Sequence, residues 1–348
     1  MAKMVRAALM TGVGKFEIGE VPMPEPKDDE VLVNIKHVGV CGADLEFFED
    51  GGIGAWKLEF PAVIGHEPAG IVAGFGKNVK GFEEGDEVSI EPGIACGTCE
   101  YCTTGQYNLC NGMSFMSIPG QQKGAFQDYV VWPQDRVFKL PKGVGTLQGA
   151  LVEPLSVGFN AVKNSGAEIG DTAAIVGCGC IGLCTLLALR ARGVTDVFMS
   201  DLEKVRMDKA LELGATKVFD ASKDNVTEKV MEATGGKGVN MSYECTGMPE
   251  AVNQGVALLS KGGTMTLIGL FGQADIPVDL NALIFVEGTF KSNFRYRYQY
   301  PIALRALAAG IVPLEKIVSH RFPLEKIQEA LELNTQNKKE VTKVVIEL

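Results

Sequence analysis

The chain has 348 residues and a formal net charge of −10 at pH 7, which argues against nucleic acid as the main partner, because phosphate binding needs a basic surface. Apolar residues make up 46%, enough for sizeable cores, and the length predicts two domains. The opening MAKMVRAALMTGVG has neither the apolar core nor the cleavage pattern of a signal peptide, and no apolar run reaches the ~18 residues of a membrane span. The expectation is a cytoplasmic protein whose nine cysteines are metal ligands or buried thiols rather than disulfides.

The first part of the chain predicts strands and turns. EVLVNIKHVGVCG, PAVIGHEPAGIVAGFG, GDEVSIEPG and AFQDYVVWPQDRVFKLP are short apolar runs broken by Gly and Pro, the texture of a compact β domain. Cys41, the His66–Glu67 pair and Glu153 of LVEPLS fall in or just beyond these runs. Spacing alone does not unite them. Singly, His66 reads as a satisfied core or surface histidine and Cys41 as a buried thiol. The chain has three histidines, so few zinc sites are available; His37 in a strand-like run and His320 in a terminal loop read as structural. CGTCEYCTTGQYNLC is different. Cys96, Cys99 and Cys102 are each separated by two residues, and Cys110 follows closely. Four thiolates so spaced predict a closed tetrahedral zinc site, with no position left for chemistry. Four unrelated buried thiols, or a redox pair, are the alternative.

From DTAAIVG onward, strand-like runs alternate with helical ones. TAAIVG precedes CIGLCTLLALRARG, DVFMSD precedes LEKVRMDKALELGA, and NMSYEC precedes MPEAVNQGVALLSKGG. That alternation predicts βαβ units on a parallel sheet. Gly177, Gly179 and Gly182, with Ile181 between the last two, form a G-x-G-x-x-G that follows a strand and opens a helix. The first glycine permits the turn, the second lets the backbone approach a pyrophosphate, and the third lets helix and strand pack. The helix N-terminus then faces the phosphates with free N–H groups. Asp201 ends the next strand, about 20 residues on, where an acid binds the ribose hydroxyls of NAD and repels a 2′-phosphate. Leu202 follows it rather than an arginine, and Arg206 lies a turn further on, near the adenine. Asp201 as a simple helix cap is the alternative. After about residue 290, YPIALRALAAG and PLEKIQEALEL predict helices and TKVVIEL a last strand. The expected division is 1–155 for the β domain with its metal lobe, 156–290 for the dinucleotide-binding domain, and 291–348 returning to the first.

Together these residues resemble the zinc-dependent medium-chain dehydrogenase/reductase family. VGVCGAD, PAVIGHEPAG, GDEVSIEPG, the four-cysteine lobe, LVEPLSVG, VGCGCIG and MSD carry the likeness. SIEPG, LVEPLSVG, YECTG, NFRYRYQYP and HRFPLEKIQEALE are similar to its sorbitol, xylitol and arabinitol dehydrogenase branch. The resemblance implies an α/β protein, a GroES-like β domain plus a Rossmann doubly wound parallel sheet, that assembles as a homotetramer. It implies a catalytic zinc on Cys41, His66 and a carboxylate. Glu67 and Glu153 compete for the third ligand position, directly or through water. Arg295 and Tyr296 would reach polyol and cofactor, while Ile268, Gly269, Leu270, Asn293 and Phe294 would line the nicotinamide side. Phe47 of DLEFFEDGGIGAW would border the substrate, although aromatic clusters of that kind are commonly packing.

The implied reaction is reversible oxidation of a secondary hydroxyl of a polyol to a ketose, with hydride transfer to NAD+. A free secondary alcohol is far too weak an acid to lose its proton at neutral pH; Zn²⁺ supplies the missing acidity. Relatives carry Ser or Thr two residues after the first zinc cysteine, and that hydroxyl relays the proton. Ala43 stands there in this chain, so the expected route runs through water and Glu153 or Glu67. A threonine- or butanediol-type dehydrogenase on the same scaffold is the second reading. A non-catalytic zinc and NAD(H)-binding protein is a third, and the presence of Cys41, His66 and Asp201 weighs against it.

Overall fold

The computed structural model describes residues 3–121, 123–337 and 339–348. Its longer strands, in chain order, are β1 (Met4–Gly12), β2 (Lys15–Pro22), β3 (Glu30–Gly39), β4 (Glu67–Phe75), β5 (Glu87–Ile90), β6 (Tyr129–Pro133), β7 (Val137–Lys139), β8 (Thr172–Val176), β9 (Asp196–Asp201), β10 (Lys217–Asp220), β11 (Val239–Glu244), β12 (Leu259–Leu267), β13 (Thr289–Ser292), β14 (His320–Pro323) and β15 (Val344–Glu347). The helices that bear on function are α1 (Gly42–Asp50), α2 (Val152–Ser165), α3 (Cys180–Arg192), α4 (Lys204–Glu212) and α5 (Pro249–Ala257). The chain divides into two compact units. One holds the residues up to Glu153 together with Tyr300–Ala308 and Val318–Leu348; the other holds Pro154–Gln299 and Ala309–Ile317.

In the first unit a seven-stranded sheet has the order β7-β5-β4-β3-β15-β14, and β6 also pairs with β3. β3 is the hub. Its beginning pairs with β6 and its end with β15, while β4 runs along its other edge. Its alternate residues Val31, Val33 and Ile35 share one face, as the two-residue period of a strand requires. Val31, Val33, Ile35, Val72, Val88, Ile90, Phe126 and Trp132 form the core beneath it, none more than 5% exposed. Each large side chain so buried contributes about 1.5–3 kcal/mol before chain entropy is counted. The C-terminal strand β15 completes this sheet, with Val345 opposite Gly39 and Ile346 opposite Val38.

In the second unit six strands pair in parallel in the order β10-β9-β8-β11-β12-β13. The order reverses at β8, and in such sheets ligands bind outside the carboxyl ends of the strands at that switch point. TAAIV of β8 is apolar without alternation because helices cover both faces. α3 follows it, and every residue from Gly182 to Leu189 is buried. The molecule thus has the α/β class expected of the sequence: a largely antiparallel β unit and a doubly wound parallel sheet.

Candidate active site

Cys41 stands just past β3, at the N-cap of α1. Glu67 opens β4 with His66 immediately before it, and the register sets Glu67 opposite Gly39. That pairing brings three donor atoms together: the Cys41 thiol, a His66 ring nitrogen and a Glu67 carboxylate oxygen all lie within 4.8 Å of one another. Gly39 is needed here for space, because a Cβ on it would sit 1.9 Å from Glu67 Oε2.

Two residues that sequence reasoning did not single out complete the environment. Asp44, fully buried, accepts from the Cys41 amide at 2.9 Å and the Gly65 amide at 3.1 Å. Its Oδ1 lies 3.7 Å from His66 Nδ1, the carboxylate–imidazole contact that orients metal-ligating histidines. Lys343, immediately before β15, is likewise buried. Its ammonium donates to the Val40 carbonyl and to Glu67 Oε1, both at 2.8 Å, and lies 2.6 Å from Glu67 Oε2. Burial lowers the His66 imidazole, but the Cys41 thiolate and the Asp44 carboxylate together hold it well above its ordinary value. Burial pushes the Cys41 thiol up, and His66 pulls against it. A thiol, an imidazole and a carboxylate at this separation fit zinc, and three protein ligands leave a position for an exchangeable oxygen. Glu153, 6% exposed in the first turn of α2, is not a member of this three-residue group.

Cys96, Cys99, Cys102 and Cys110 form the second group of converging donors among the described residues. Cys99 and Cys102 sulfurs are 3.5 Å apart, and those of Cys96 and Cys102 are 3.9 Å apart. A tetrahedron with Zn–S bonds near 2.3 Å has edges of about 3.8 Å, so the four thiols fit a structural zinc. Amides of the tight turn, from Thr98 and Cys99, pull the Cys96 thiol down to about 6. The lobe is tied to the β core by Tyr107, whose hydroxyl donates to buried Glu91 at 2.7 Å. Arg136 donates to the same carboxylate at 3.3 Å and stacks on the Tyr107 ring.

The cofactor loop joins β8 to α3. Gly177 has φ +102°, and a Cβ on Gly182 would sit 1.9 Å from the Gly177 carbonyl oxygen. Both positions therefore require glycine. A Cβ on Gly179 would meet no protein atom within 4 Å, as expected where a phosphate approaches the backbone. α3 has no side chain capping its N-terminus, so its first N–H groups and dipole suit a pyrophosphate. Ile181 is half-buried on its first turn. Asp201 ends β9, and its carboxylate accepts from the amides of Cys178 (2.6 Å), Leu202 (2.8 Å) and Glu203 (2.9 Å). It clamps the loop, and with about four acceptor sites on a carboxylate it keeps acceptor capacity beyond these three bonds. Arg206 follows on α4, half-buried.

Ile268, Gly269 and Leu270 run out of β12, with Leu270 74% exposed. Asn293 is buried, accepting from Asn160 (2.6 Å) and Asn164 (3.0 Å) and donating to the Arg295 carbonyl, so its side chain shapes the loop. Phe294 is exposed, and the Arg295 guanidinium lies over its ring at 4.8 Å. Arg295 holds φ +52°, an uncommon conformation for a residue with a side chain. Tyr296 is 3% exposed. Phe47 is 1% exposed and belongs to the core of the first unit.

The fold and these donor sets define a zinc-dependent alcohol dehydrogenase that uses NAD(H), and comparison with known proteins agrees. Residues 27–142 match the alcohol dehydrogenase GroES-like domain, and residues 180–309 match the zinc-binding dehydrogenase domain. A sorbitol dehydrogenase of Bacillus subtilis is 36% identical over 342 residues, covering 98% of this chain and 97% of its own. An Escherichia coli oxidoreductase of unknown specificity superposes with a TM-score of 0.95 at 33% identity, covering 99% of both chains. The 2R,3R-butanediol dehydrogenase of Bacillus subtilis superposes with a TM-score of 0.90 at 30% identity, again over 99% of both. The chain belongs to the zinc-dependent medium-chain dehydrogenase/reductase family, and within it resembles the polyol dehydrogenases. It is an NAD-dependent oxidoreductase. No described helix is long and apolar enough to cross a membrane.

Proposed function

We propose that the protein oxidises a secondary hydroxyl of a linear polyol to a ketose, reversibly, with NAD+ as hydride acceptor. The observation that carries the reading is the Cys41–His66–Glu67 group, whose carboxylate stands in place of a second thiolate and is shared with a buried ammonium. Sorbitol dehydrogenase relatives over nearly the whole chain and the LVEPLSVG and NFRYRYQYP segments support the polyol.

Cys41, His66 and Glu67 would hold the catalytic zinc, which when bound polarises the substrate hydroxyl and makes it acidic. Asp44 fixes the imidazole in the orientation that binds metal. Lys343 pairs with Glu67 and aims its carboxylate. With Ala43 offering no hydroxyl, Glu153 is the residue we assign to accept the substrate proton through water. The glycine loop and the α3 N-terminus would hold the pyrophosphate, and Asp201 the ribose. Arg295 would offer its fixed fork of donors to vicinal hydroxyls. Holding the carbinol carbon in line with C4 of the nicotinamide is the protein's remaining task.

The test is an NADH-absorbance screen of sorbitol, xylitol, arabinitols, galactitol, threonine and 2,3-butanediol. Polyol turnover, abolished by chelation and restored by zinc, is the expected result. Turnover of 2,3-butanediol or threonine without polyols would replace this substrate class; the structural likeness to a butanediol dehydrogenase makes that the second reading. Glu153→Gln should slow oxidation by at least ~100-fold with zinc content unchanged, and a near-normal rate would remove Glu153 from the proton route.

A further inference from the structure

Glu244 ends β11 in the second unit, at the carboxyl edge of the parallel sheet. It is fully buried. One carboxylate oxygen, Oε1, accepts three hydrogen bonds: from the Thr246 amide (2.5 Å), the Thr246 hydroxyl (2.6 Å) and the Gly247 amide (2.8 Å). The other, Oε2, is buried without a hydrogen-bond partner. A carboxylate in that state is costly to bury, so its retention calls for a reason beyond filling space.

The turn that Glu244 clamps is wedged between two segments of the cofactor site. On one side is the first fingerprint glycine, since a Cβ on Gly177 would lie 2.6 Å from Thr246 Cγ2. On the other is the chain leaving β12. A Cβ on Gly247 would lie 2.2 Å from the Leu270 carbonyl oxygen, and one on Gly269 would lie 2.3 Å from the Gly247 amide and 2.6 Å from Glu244 Oε2. The Glu244 carbonyl accepts from the Ile268 and Gly269 amides at 3.0 and 3.3 Å. One residue therefore spaces Gly177 from Ile268–Leu270.

Those two segments serve different halves of a dinucleotide. With the pyrophosphate at the α3 N-terminus and the adenine ribose at Asp201 on the β9 side, the nicotinamide half extends across the ends of β11 and β12. We propose that Glu244 is a positioning residue for the nicotinamide half of the cofactor, setting the Thr246–Gly247 turn so that Ile268–Leu270 stand at a fixed distance from the phosphate loop. The proposal rests on the cofactor placement given above.

The test compares NADH with ADP-ribose, which lacks the nicotinamide, by calorimetric titration of the zinc-loaded full chain. Glu244→Ala should weaken NADH by ~10-fold, the equivalent of one or two lost hydrogen bonds, and leave ADP-ribose within ~2-fold. Glu244→Gln keeps an acceptor oxygen for the three donors and should recover most of the NADH affinity. Unchanged ADP-ribose binding also shows that the domain is folded. Should Glu244→Ala not fold, Thr246→Val removes one of the three donors and should show the same selective loss in smaller measure. Equal weakening of both ligands would make Glu244 a general structural residue, and unchanged NADH affinity would remove its role altogether. If the wild-type chain itself binds NADH no better than ADP-ribose, the placement of the nicotinamide half is wrong, and the proposal falls with it.

Discussion

Single residues decide whether the catalytic metal group exists. Cys41→Ala removes the softest of its three donors. Metal analysis should then find one zinc per chain fewer, with the four-cysteine site kept and turnover lost. Gly39→Ala would thrust a methyl group into the Glu67 carboxylate, and it should cut zinc retention although it touches no ligand covalently. Lys343→Met tests the buried pair. Removing one partner of such a pair costs about 3 kcal/mol or more, because the other charge is left uncompensated. Urea melts should show that loss in the chelator-treated protein and a smaller one in the zinc-loaded protein, where the metal cation takes over the compensation. An equal loss in both states would mean that Lys343 and zinc do not act on the same carboxylate.

At the scale of elements, the β8–α3 turn tolerates little change. A Cβ on Gly182 collides with a backbone carbonyl rather than with a flexible side chain, so relief requires moving α3 off the sheet. Gly182→Ala should abolish NADH binding by fluorescence titration while both zincs remain, since among the described residues neither converging donor group includes a residue of the second unit. This element was legible in the sequence because every feature of it is local: strand, glycines, apolar helix, then an acid on the next strand. The cysteine lobe was legible for the same reason. Asp44 was visible in the VGVCGAD segment but hard to value. Its carboxylate three residues after Cys41 resembles an ordinary helix-capping arrangement, and its contact with His66 arises from folding.

For the whole molecule, the metal donors lie in one unit and the dinucleotide fingerprint in the other. Chelation should therefore abolish turnover yet leave NADH titration nearly unchanged; loss of NADH binding on chelation would show that metal and cofactor are coupled. The sequence by itself determined the α/β class, the dinucleotide fingerprint and the four-cysteine lobe, because periodicity and short spacings survive in one dimension; the family came from the resemblance of its motifs. Only the tertiary structure brought the Glu67 carboxylate within 4.8 Å of the Cys41 and His66 donor atoms. It alone placed Phe47 in the core and put the Lys343 ammonium on Glu67. The physical reason is register. Cys41, Glu67 and Lys343 meet because β4 and β15 both pair with the end of β3, and strand pairing between distant segments leaves no spacing in the chain from which a contact could be read.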